Sequence, residues 1–348
     1  MKTNMTAVAS RTRSLRFPNC GVRIGISLSF ASVCLLTLLG CSPKAESPSG
    51  LRRVVFQSDW FPQAEHGGFY QALAKGYYRE VGLDVEIRSG GPGAAIKLKV
   101  AKGEADFGMN RADDTILAVS RGLPLMMVAA TLQHDPQALL LHADSPVMSF
   151  SDLEGHTITA ALGMTWIPYI QKKYGITFGL VPTTYGLASF LGDKDVIQQC
   201  FLTSEPYFAT QKGVAVRTLP LTDSGYDSYH TMICRRELLR NEPDLVRAFV
   251  AASIRGWQDY ITSDPAPAHV MIVKLNANMT AEHLEYSRQA MIQHSLVAGR
   301  PEAGEYIGRL NLARVQHEID VLTEFEVLET SMKARDVAST EFLPQHTP

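Results

Sequence analysis

The chain has 348 residues, with 33 lysine and arginine residues against 35 aspartate and glutamate residues. This near balance of charges excludes a strongly basic nucleic-acid-binding protein. The chain is long for a single hydrophobic core, and its length fits two domains. The first 40 residues hold five basic and no acidic residues, so the rest carries 28 basic and 35 acidic residues, a net charge of −7.

The N-terminal segment has the pattern of an export signal. Its basic residues lie between Lys2 and Arg23, and the 17 residues 24–40 carry no charge. Such a run is short for a membrane span, which needs about 20 residues, and an uncleaved anchor helix is the alternative. Residues 38–41, LLGC, are similar to a lipobox, in which Cys41 receives lipid after residues 1–40 are removed. The Pro/Ser-rich residues 41–51 then form a flexible tether.

From residue 52 onward, short apolar strands alternate with amphipathic helices. The patterns predict strands at 54–56, 85–87, 105–109, 125–130, 138–141 and 157–161. They predict helices at 67–75, 94–102, 115–121 and 165–174, and an almost purely helical region after Arg235, with helices from Pro243 and near 266–275, 281–296 and 314–329. This alternation indicates an α/β protein with mostly parallel sheets, two lobes and a helical tail.

Ligands of open α/β sheets bind beyond the carboxyl ends of the strands. The loops at these ends are therefore the candidate binding segments: 57–67, 89–93, 110–114, 133–135, 162–166 and 204–207. The glycine-rich loop 89–93 lacks the Lys-Ser/Thr pair of a phosphate-binding loop, so we interpret it as a plain cleft loop.

Four segments, taken in order and spacing, carry a family resemblance: DWFPQAEHGGFY (59–70), AKGYYREVGLDV (74–85), GEADFG (103–108) and RGLP (121–124). Together they resemble the SsuA/TauA-like periplasmic solute-binding superfamily. The loop from Trp60 to His66, the pair Gln133-His134 and the ending EFLP (341–344) are most similar to its ThiY-like branch, which binds thiamine pyrimidine precursors. The resemblance covers residues 52–345.

The resemblance implies a type II periplasmic-binding-protein fold, with two α/β lobes joined by a two-strand hinge and a C-terminal helical extension on lobe 1. Lobe 1 is expected at 52–141, lobe 2 at 142–231, and the completion of lobe 1 at 232–348, with crossings near His142 and Thr231. It further implies an exported, monomeric lipoprotein on the periplasmic or outer side of a membrane, anchored through Cys41. Such a protein delivers a small molecule to an ABC permease and needs no nucleic acid, cofactor or metal.

Aromatic faces and polar side chains in the cleft loops are the candidate ligand contacts for a heteroaromatic solute. Trp166 and Tyr169 of the second lobe could close over the ligand, and packing between or within the lobes is the alternative for them and for Trp60. Helix capping is the alternative for Glu65, Asp113 and Glu205. Gly67 would offer a backbone amide at a helix start. The candidates are Trp60, Glu65, His66, Gly67, Asn110, Asp113, Trp166, Glu205 and Tyr207.

Two other functions are weighed against this one. The related fungal thiamine pyrimidine synthases need a lysine where Asn110 stands, and an amide cannot form a Schiff base. The position of their histidine corresponds to Asp114 in this chain. The position of their cysteine cluster corresponds to residues 232–235, in which Cys234 is the one cysteine. Receptors for nitrate, taurine or alkanesulfonate need cations or bare amides, whereas this cleft offers acidic residues and only Arg111. Cys200 and Cys234 either pair after export or stay buried free thiols.

Overall fold

The computed structural model describes residues 50–345, so the signal segment, Cys41 and nearly all of the tether lie outside the described residues. Two five-stranded sheets organise the chain. The first has the order β2-β1-β3-β10-β4, with β1, β2 and β3 parallel and β10 antiparallel to both of its neighbours. Its strands are β1 (Arg52–Gln57), β2 (Leu83–Arg88), β3 (Phe107–Arg111), β4 (Leu125–Leu132) and β10 (His230–Arg235).

The second sheet has the order β7-β6-β8-β5-β9, with β6, β7 and β8 parallel and β5 antiparallel to β8 and β9. Its strands are β5 (Gln137–His142), β6 (Thr157–Ala160), β7 (Gly179–Pro182), β8 (Ile197–Phe201) and β9 (Val216–Pro220). Each sheet therefore repeats the same pattern, in which one antiparallel strand lies between the parallel set and an edge strand.

Helices follow the strands as the sequence predicts, with shifts of a few residues at their ends. Gly76 and Gly103 end α1 and α3 with φ of 77° and 76°, a left-handed conformation that glycine adopts without strain. The helices are α1 (Gly67–Ala74), α2 (Tyr77–Glu80), α3 (Ile96–Lys102), α4 (Ala112–Ser120), α5 (Trp166–Tyr174), α6 (Ala188–Gly192), α7 (Glu205–Gln211), α8 (Arg236–Asn241), α9 (Pro243–Thr262), α10 (Ala266–Leu275), α11 (Ala281–Gln293) and α12 (Leu312–Glu324).

Helix α1 packs very closely against α9 on one face of the first sheet. A Cβ atom on Gly68 would lie 2.2 Å from the ring of Trp257, and one on Gly67 would lie 2.2 Å from the ring of Tyr260. The Phe107 and Phe249 rings stack in the core beneath, with centroids 4.0 Å apart. The glycines thus let α1 approach α9, and this contact fixes the loop that leads into α1.

The chain crosses between the sheets at residues 133–136 and 221–229. The first crossing precedes β5, so the expectation of a crossing near His142 needs correction: β5 pairs with β8 and β9 and belongs to the second sheet. Only four residues separate the two apolar strands β4 and β5, and this short gap hides the crossing in the sequence. The second crossing ends just before Thr231, at the start of β10.

A partly buried charged cluster around the buried His134 ties the two crossings together. The ring nitrogens of His134 lie 2.7 Å from Asp227 and 2.9 Å from Glu305. Arg314, at the start of α12, lies 3.1 Å from each of the same two carboxylates and donates to the carbonyl oxygen of Gln133 at 2.6 Å. The C-terminal extension therefore holds both segments that connect the lobes.

Candidate functional site

The site lies where the carboxyl ends of the parallel strands of the two sheets face each other. From the first sheet come the loop after β1, the end of β3 and, because β10 is antiparallel, the start of β10. The second sheet contributes residues that follow β6 and β8. Side chains from the two lobes touch directly, as in the hydrogen bond from the Thr203 hydroxyl to Glu65.

His66 and Asp59 form a polar pair at the start of α1. The Nε2 atom of His66 lies 2.7 Å from the Asp59 carboxylate, and His66 is fully buried. Burial alone would raise the pKa of Asp59, but the bond and charge of His66 outweigh it and lower that pKa. In the residues described, His66 Nδ1 has no hydrogen-bond partner. When Nε2–H donates to Asp59, Nδ1 of the neutral ring can accept a hydrogen bond from another group.

His230 opens β10 and is buried, and neither ring nitrogen has a hydrogen-bond partner within residues 50–345. The nearer nitrogen lies 4.0 Å from Asp135, beyond hydrogen-bond reach. Burial lowers the pKa of His230 to about 4, although the charge of Asp59 opposes this shift. The ring is therefore neutral near pH 7 and offers one donor and one acceptor.

Asp135 is also fully buried, at the first crossing. It accepts hydrogen bonds from the backbone and side-chain nitrogens of Gln137 at 2.9 and 3.0 Å. Burial raises the pKa of Asp135 to about 7, even though Arg111 opposes the shift. This carboxyl can thus hold or release a proton near neutral pH.

Arg111 is already paired by the protein. Its guanidinium lies 3.1 Å from the buried Asp113 carboxylate and 2.9 Å from the Met164 sulfur of the second lobe. Asp113 also accepts hydrogen bonds from the hydroxyls of Thr165 and Tyr226. Burial would raise the pKa of Asp113, but the charge of Arg111 outweighs it and lowers that pKa. Asp113 therefore joins the lobes and neutralises the cation that an anionic ligand would need.

Two further carboxyls lie where the lobes meet, Glu65 on the first lobe and Glu205 on the second. Glu65 is buried, accepts a hydrogen bond from Thr203, and has a pKa raised by burial. Glu205 accepts a hydrogen bond from the Phe201 amide at 2.7 Å, and burial raises its pKa to about 7. Glu205 thus closes the turn between β8 and α7, but this is not the helix cap weighed from the sequence, because the amide that it binds is that of the last residue of β8.

Trp60 is half-buried and lies between two aromatic rings. Its ring centroid is 4.9 Å from that of Tyr185 in the second lobe and 5.6 Å from that of Phe61. The carbonyl oxygen of Trp60 accepts hydrogen bonds from the Gly90 amide and the Ser58 hydroxyl, which hold the loop. All three tryptophans of the chain lie within residues 50–345, and Trp166 and Trp257 are buried there whereas Trp60 is reached by solvent.

The structure gives three of the candidates packing or hydrogen-bonding roles within the protein. Trp166 is fully buried in the apolar core of the second lobe, so it packs there rather than closing over the cleft. The Gly67 amide donates to the carbonyl oxygen of Ala64, and this glycine serves the close packing on α9. The Asn110 amide donates to the Thr115 hydroxyl at 2.8 Å and stabilises the turn from β3 into α4.

Tyr207 takes part in an aromatic contact between the lobes. Its ring stacks on His283 of α11 with centroids 4.8 Å apart, and it also lies 5.1 Å from the ring of Tyr286. Ser287 of the same helix donates to the carbonyl oxygen of Thr203 at 2.7 Å. Helix α11 therefore meets the start of α7, and Tyr207 lies at this meeting of the lobes.

The sequence patterns did not single out His230, Thr203 or Tyr185, and they placed Asp135 only within the candidate loop 133–135. His230 could have been found if β10 had been recognised as antiparallel, because its first residue then lies beside the last residues of β3 and β4. The register pairs His230 with Arg111 and with Leu132. Nothing in the sequence near Tyr185 indicated a contact with Trp60, which is a consequence of tertiary structure alone.

Comparison with known proteins gives a family. A model described as "NMT1/THI5 like" matches residues 63–268. A formylaminopyrimidine-binding protein of Halalkalibacterium halodurans is 32% identical over 256 residues, covering 69% of this chain and 76% of that protein. The riboflavin-binding protein RibY of Chloroflexus aurantiacus is 25% identical over 298 residues, covering 81% and 84% of the two chains.

An enzyme is also among the relatives. A 4-amino-5-hydroxymethyl-2-methylpyrimidine phosphate synthase of Saccharomyces cerevisiae is 27% identical over 237 residues, covering 62% of this chain and 69% of that protein. Among solved structures, the periplasmic aliphatic sulphonate binding protein SsuA of Escherichia coli superposes with a TM-score of 0.61 at 14% identity, covering 82% and 96% of the chains. This likeness shows the fold, which is the predicted periplasmic-binding-protein fold.

Within residues 50–345, the helices are all too short or too polar to span a membrane. The matched family model covers more than half of the chain, and the fold has two α/β lobes that meet at a polar cleft. The chain belongs to the NMT1/THI5-like family and is a solute-binding protein of the SsuA/ThiY type.

Proposed function

We propose that this protein captures an amino-substituted heteroaromatic solute, such as a thiamine pyrimidine precursor, and delivers it to an ABC importer. One observation carries the proposal: His66 and His230 both present buried nitrogens that have no hydrogen-bond partner among residues 50–345, close to the carboxylate of Asp59. Buried polar atoms are almost always hydrogen-bonded in native proteins, so these nitrogens suit a ligand with donors and acceptors on its ring edge. The 32% identical relative named for formylaminopyrimidine supports this class.

The charges of the cleft support an amino-bearing ring over an oxyanion. Nitrate, taurine and alkanesulfonates need a free cation or several bare amides. Arg111 is instead paired with Asp113, and Asp59 adds a further carboxylate. A ligand amino group could donate to His66 Nδ1, while its ring nitrogens exchange hydrogen bonds with the neutral ring of His230.

A transport role is favoured over synthesis. Asn110 stands where the related synthases need a lysine, and its side chain is engaged with Thr115. Capture then follows from lobe closure, because a ligand that contacts both lobes only in the closed form shifts the population toward that form. The closed shape is what a permease would recognise.

Export and anchoring belong to the same proposal. The signal-like N-terminus and the lipobox-like residues before Cys41 support a monomeric lipoprotein that works outside the cytoplasmic membrane. Metabolic labelling with a radioactive fatty acid tests this step: we expect label on the wild type and none on Cys41→Ala. Label on both proteins, or on neither, would contradict the anchoring step.

Isothermal titration calorimetry tests the ligand class. The panel contains formylaminopyrimidine, an aminopyrimidine alcohol, riboflavin, taurine, an alkanesulfonate and nitrate. We expect binding heat with the aminopyrimidines and none with the three anions. Binding heat with an anion alone would reject the proposal. Binding heat with riboflavin alone would instead indicate a flavin ligand, as the name of the relative RibY suggests.

A further inference from the structure

Tyr185 has an unusual backbone for an exposed aromatic residue. It lies in the loop between β7 and α6 with φ of 61°, and 55% of its surface is exposed. A bulky residue in the left-handed region is strained, and such strain persists only when neighbouring bonds impose it. Here the Tyr185 amide donates to the Thr183 hydroxyl at 3.0 Å, and the Gly186 carbonyl accepts from the buried Gln198 at 3.1 Å.

The strained loop holds the Tyr185 ring against the opposite lobe. Its centroid is 4.9 Å from that of Trp60, with the planes tilted by 52°. A ring held between two others needs contacts of about 3.5–4 Å on each side, so this separation leaves no room for a ligand between them. Tyr185 therefore covers Trp60 directly and does not form the second half of a stacking sandwich.

The two rings belong to different lobes, so their contact forms when the lobes meet and breaks when they part. Trp60 is in turn fixed through its carbonyl oxygen by Gly90 and Ser58. We infer that Tyr185 is a gating residue, whose ring closes over Trp60 at the mouth of the cleft and slows the escape of a captured solute. This inference rests on the proposed function, because a gate needs a ligand to retain.

Tryptophan fluorescence of the aminopyrimidine-saturated protein, in which the lobes are closed, provides one test. The chain has three tryptophans, and Trp166 and Trp257 are fully buried, so a collisional quencher such as acrylamide reports on Trp60. Tyr185→Asn removes the ring and keeps a residue that tolerates the left-handed backbone. Tyr185→Phe keeps the ring, and Met148→Ala serves as a matched truncation of another exposed side chain of the second lobe.

With aminopyrimidine bound, we expect Tyr185→Asn to raise the acrylamide quenching constant of the full-length protein, whereas Tyr185→Phe and Met148→Ala leave it unchanged. In stopped-flow displacement of bound aminopyrimidine, Tyr185→Asn should raise the dissociation rate about three- to tenfold, the size expected for one aromatic pair. Tyr185→Phe should dissociate like the wild type.

Equal quenching of Tyr185→Asn and wild type would overturn the inference, and so would unchanged dissociation rates. A raised dissociation rate in Tyr185→Phe would overturn it too, because the hydroxyl and not the ring would then matter. If calorimetry shows no binding by any ligand of the panel, the proposed function fails, whereas binding with equal quenching and equal dissociation rates overturns the gating inference alone.

Discussion

His134 and Asp227 join the two crossings between the lobes through a hydrogen bond of 2.7 Å. The other ring nitrogen lies 2.9 Å from Glu305, and Arg314 lies 3.1 Å from each of these two carboxylates, so the imidazole and the guanidinium hold both carboxylates together. The ring is 3% exposed, and removing one partner of a buried charged group costs more than removing an exposed one.

We therefore expect His134→Ala to lower the free energy of unfolding by about 2–4 kcal/mol, measured by urea denaturation. Lys194→Ala is the matched control, because it breaks an exposed ion pair with Asp144 in which both side chains are largely in solvent. That control should unfold like the wild type. Equal losses in the two variants would contradict a structural role for the partly buried cluster.

His66 should contribute to ligand binding and Asn110 should not. We expect His66→Gln to weaken aminopyrimidine binding by about 10- to 100-fold, since a hydrogen bond to a buried ligand group is lost. Asn110→Ala should lower stability through its lost bond to Thr115 and leave the dissociation constant unchanged. Calorimetry measures the dissociation constants of the two variants. Weaker binding by Asn110→Ala than by His66→Gln would contradict the prediction and identify Asn110 as a ligand contact.

His230 should show opposite effects on stability and on binding. Its ring nitrogens have no partners in the described part of the chain, so His230→Leu should raise the free energy of unfolding by about 1 kcal/mol while weakening ligand binding. The same change at His142 is the control, because its Nε2 atom lies 2.8 Å from the Phe190 carbonyl oxygen. His142→Leu should destabilise the protein, and a loss of stability in both variants would contradict the prediction.

Glu318 on α12 should make stability depend on pH. Burial, and then the charge of Asp113, raises its pKa to about 8, above the value near 4.5 expected in the unfolded chain. The stability tied to this carboxyl is therefore complete below about pH 4.5 and is lost as pH rises through about 8. We expect the urea midpoint to fall less between about pH 5 and about pH 9 in Glu318→Gln than in the wild type. An identical fall in both would refute this.

The approach of α1 to α9 should tolerate no side chain at Gly68. We expect Gly68→Ala to lower the free energy of unfolding by about 1–3 kcal/mol, because the added methyl group meets the Trp257 ring. Gly192→Ala, at the end of α6, meets no atom within 4 Å and should change stability by less than about 0.5 kcal/mol. Thermal denaturation followed by circular dichroism compares them.

Local sequence patterns predicted most strands and helices because their apolar periods match the faces they bury, as in α9 and β4. They failed where tertiary structure decides. The β4–β5 crossing was invisible since both strands are apolar and lie four residues apart. Trp166 was indistinguishable from a cleft aromatic, because its burial depends on the packing of the whole second lobe. His230 required the direction of β10, which only strand pairing reveals.

The ionisable groups of the cleft are divided unequally between the lobes. Asp59, His66, Arg111 and His230 are held by the first sheet and its loops, whereas the second lobe contributes the hydroxyls of Thr165 and Thr203 and one carboxyl, Glu205, which binds the Phe201 amide. Substitutions in the first lobe alone could therefore change which ligand is bound, while the second lobe keeps its role of closing over the cleft. To select for a new ligand, one would randomise the cleft residues of the first lobe and leave those of the second lobe unchanged.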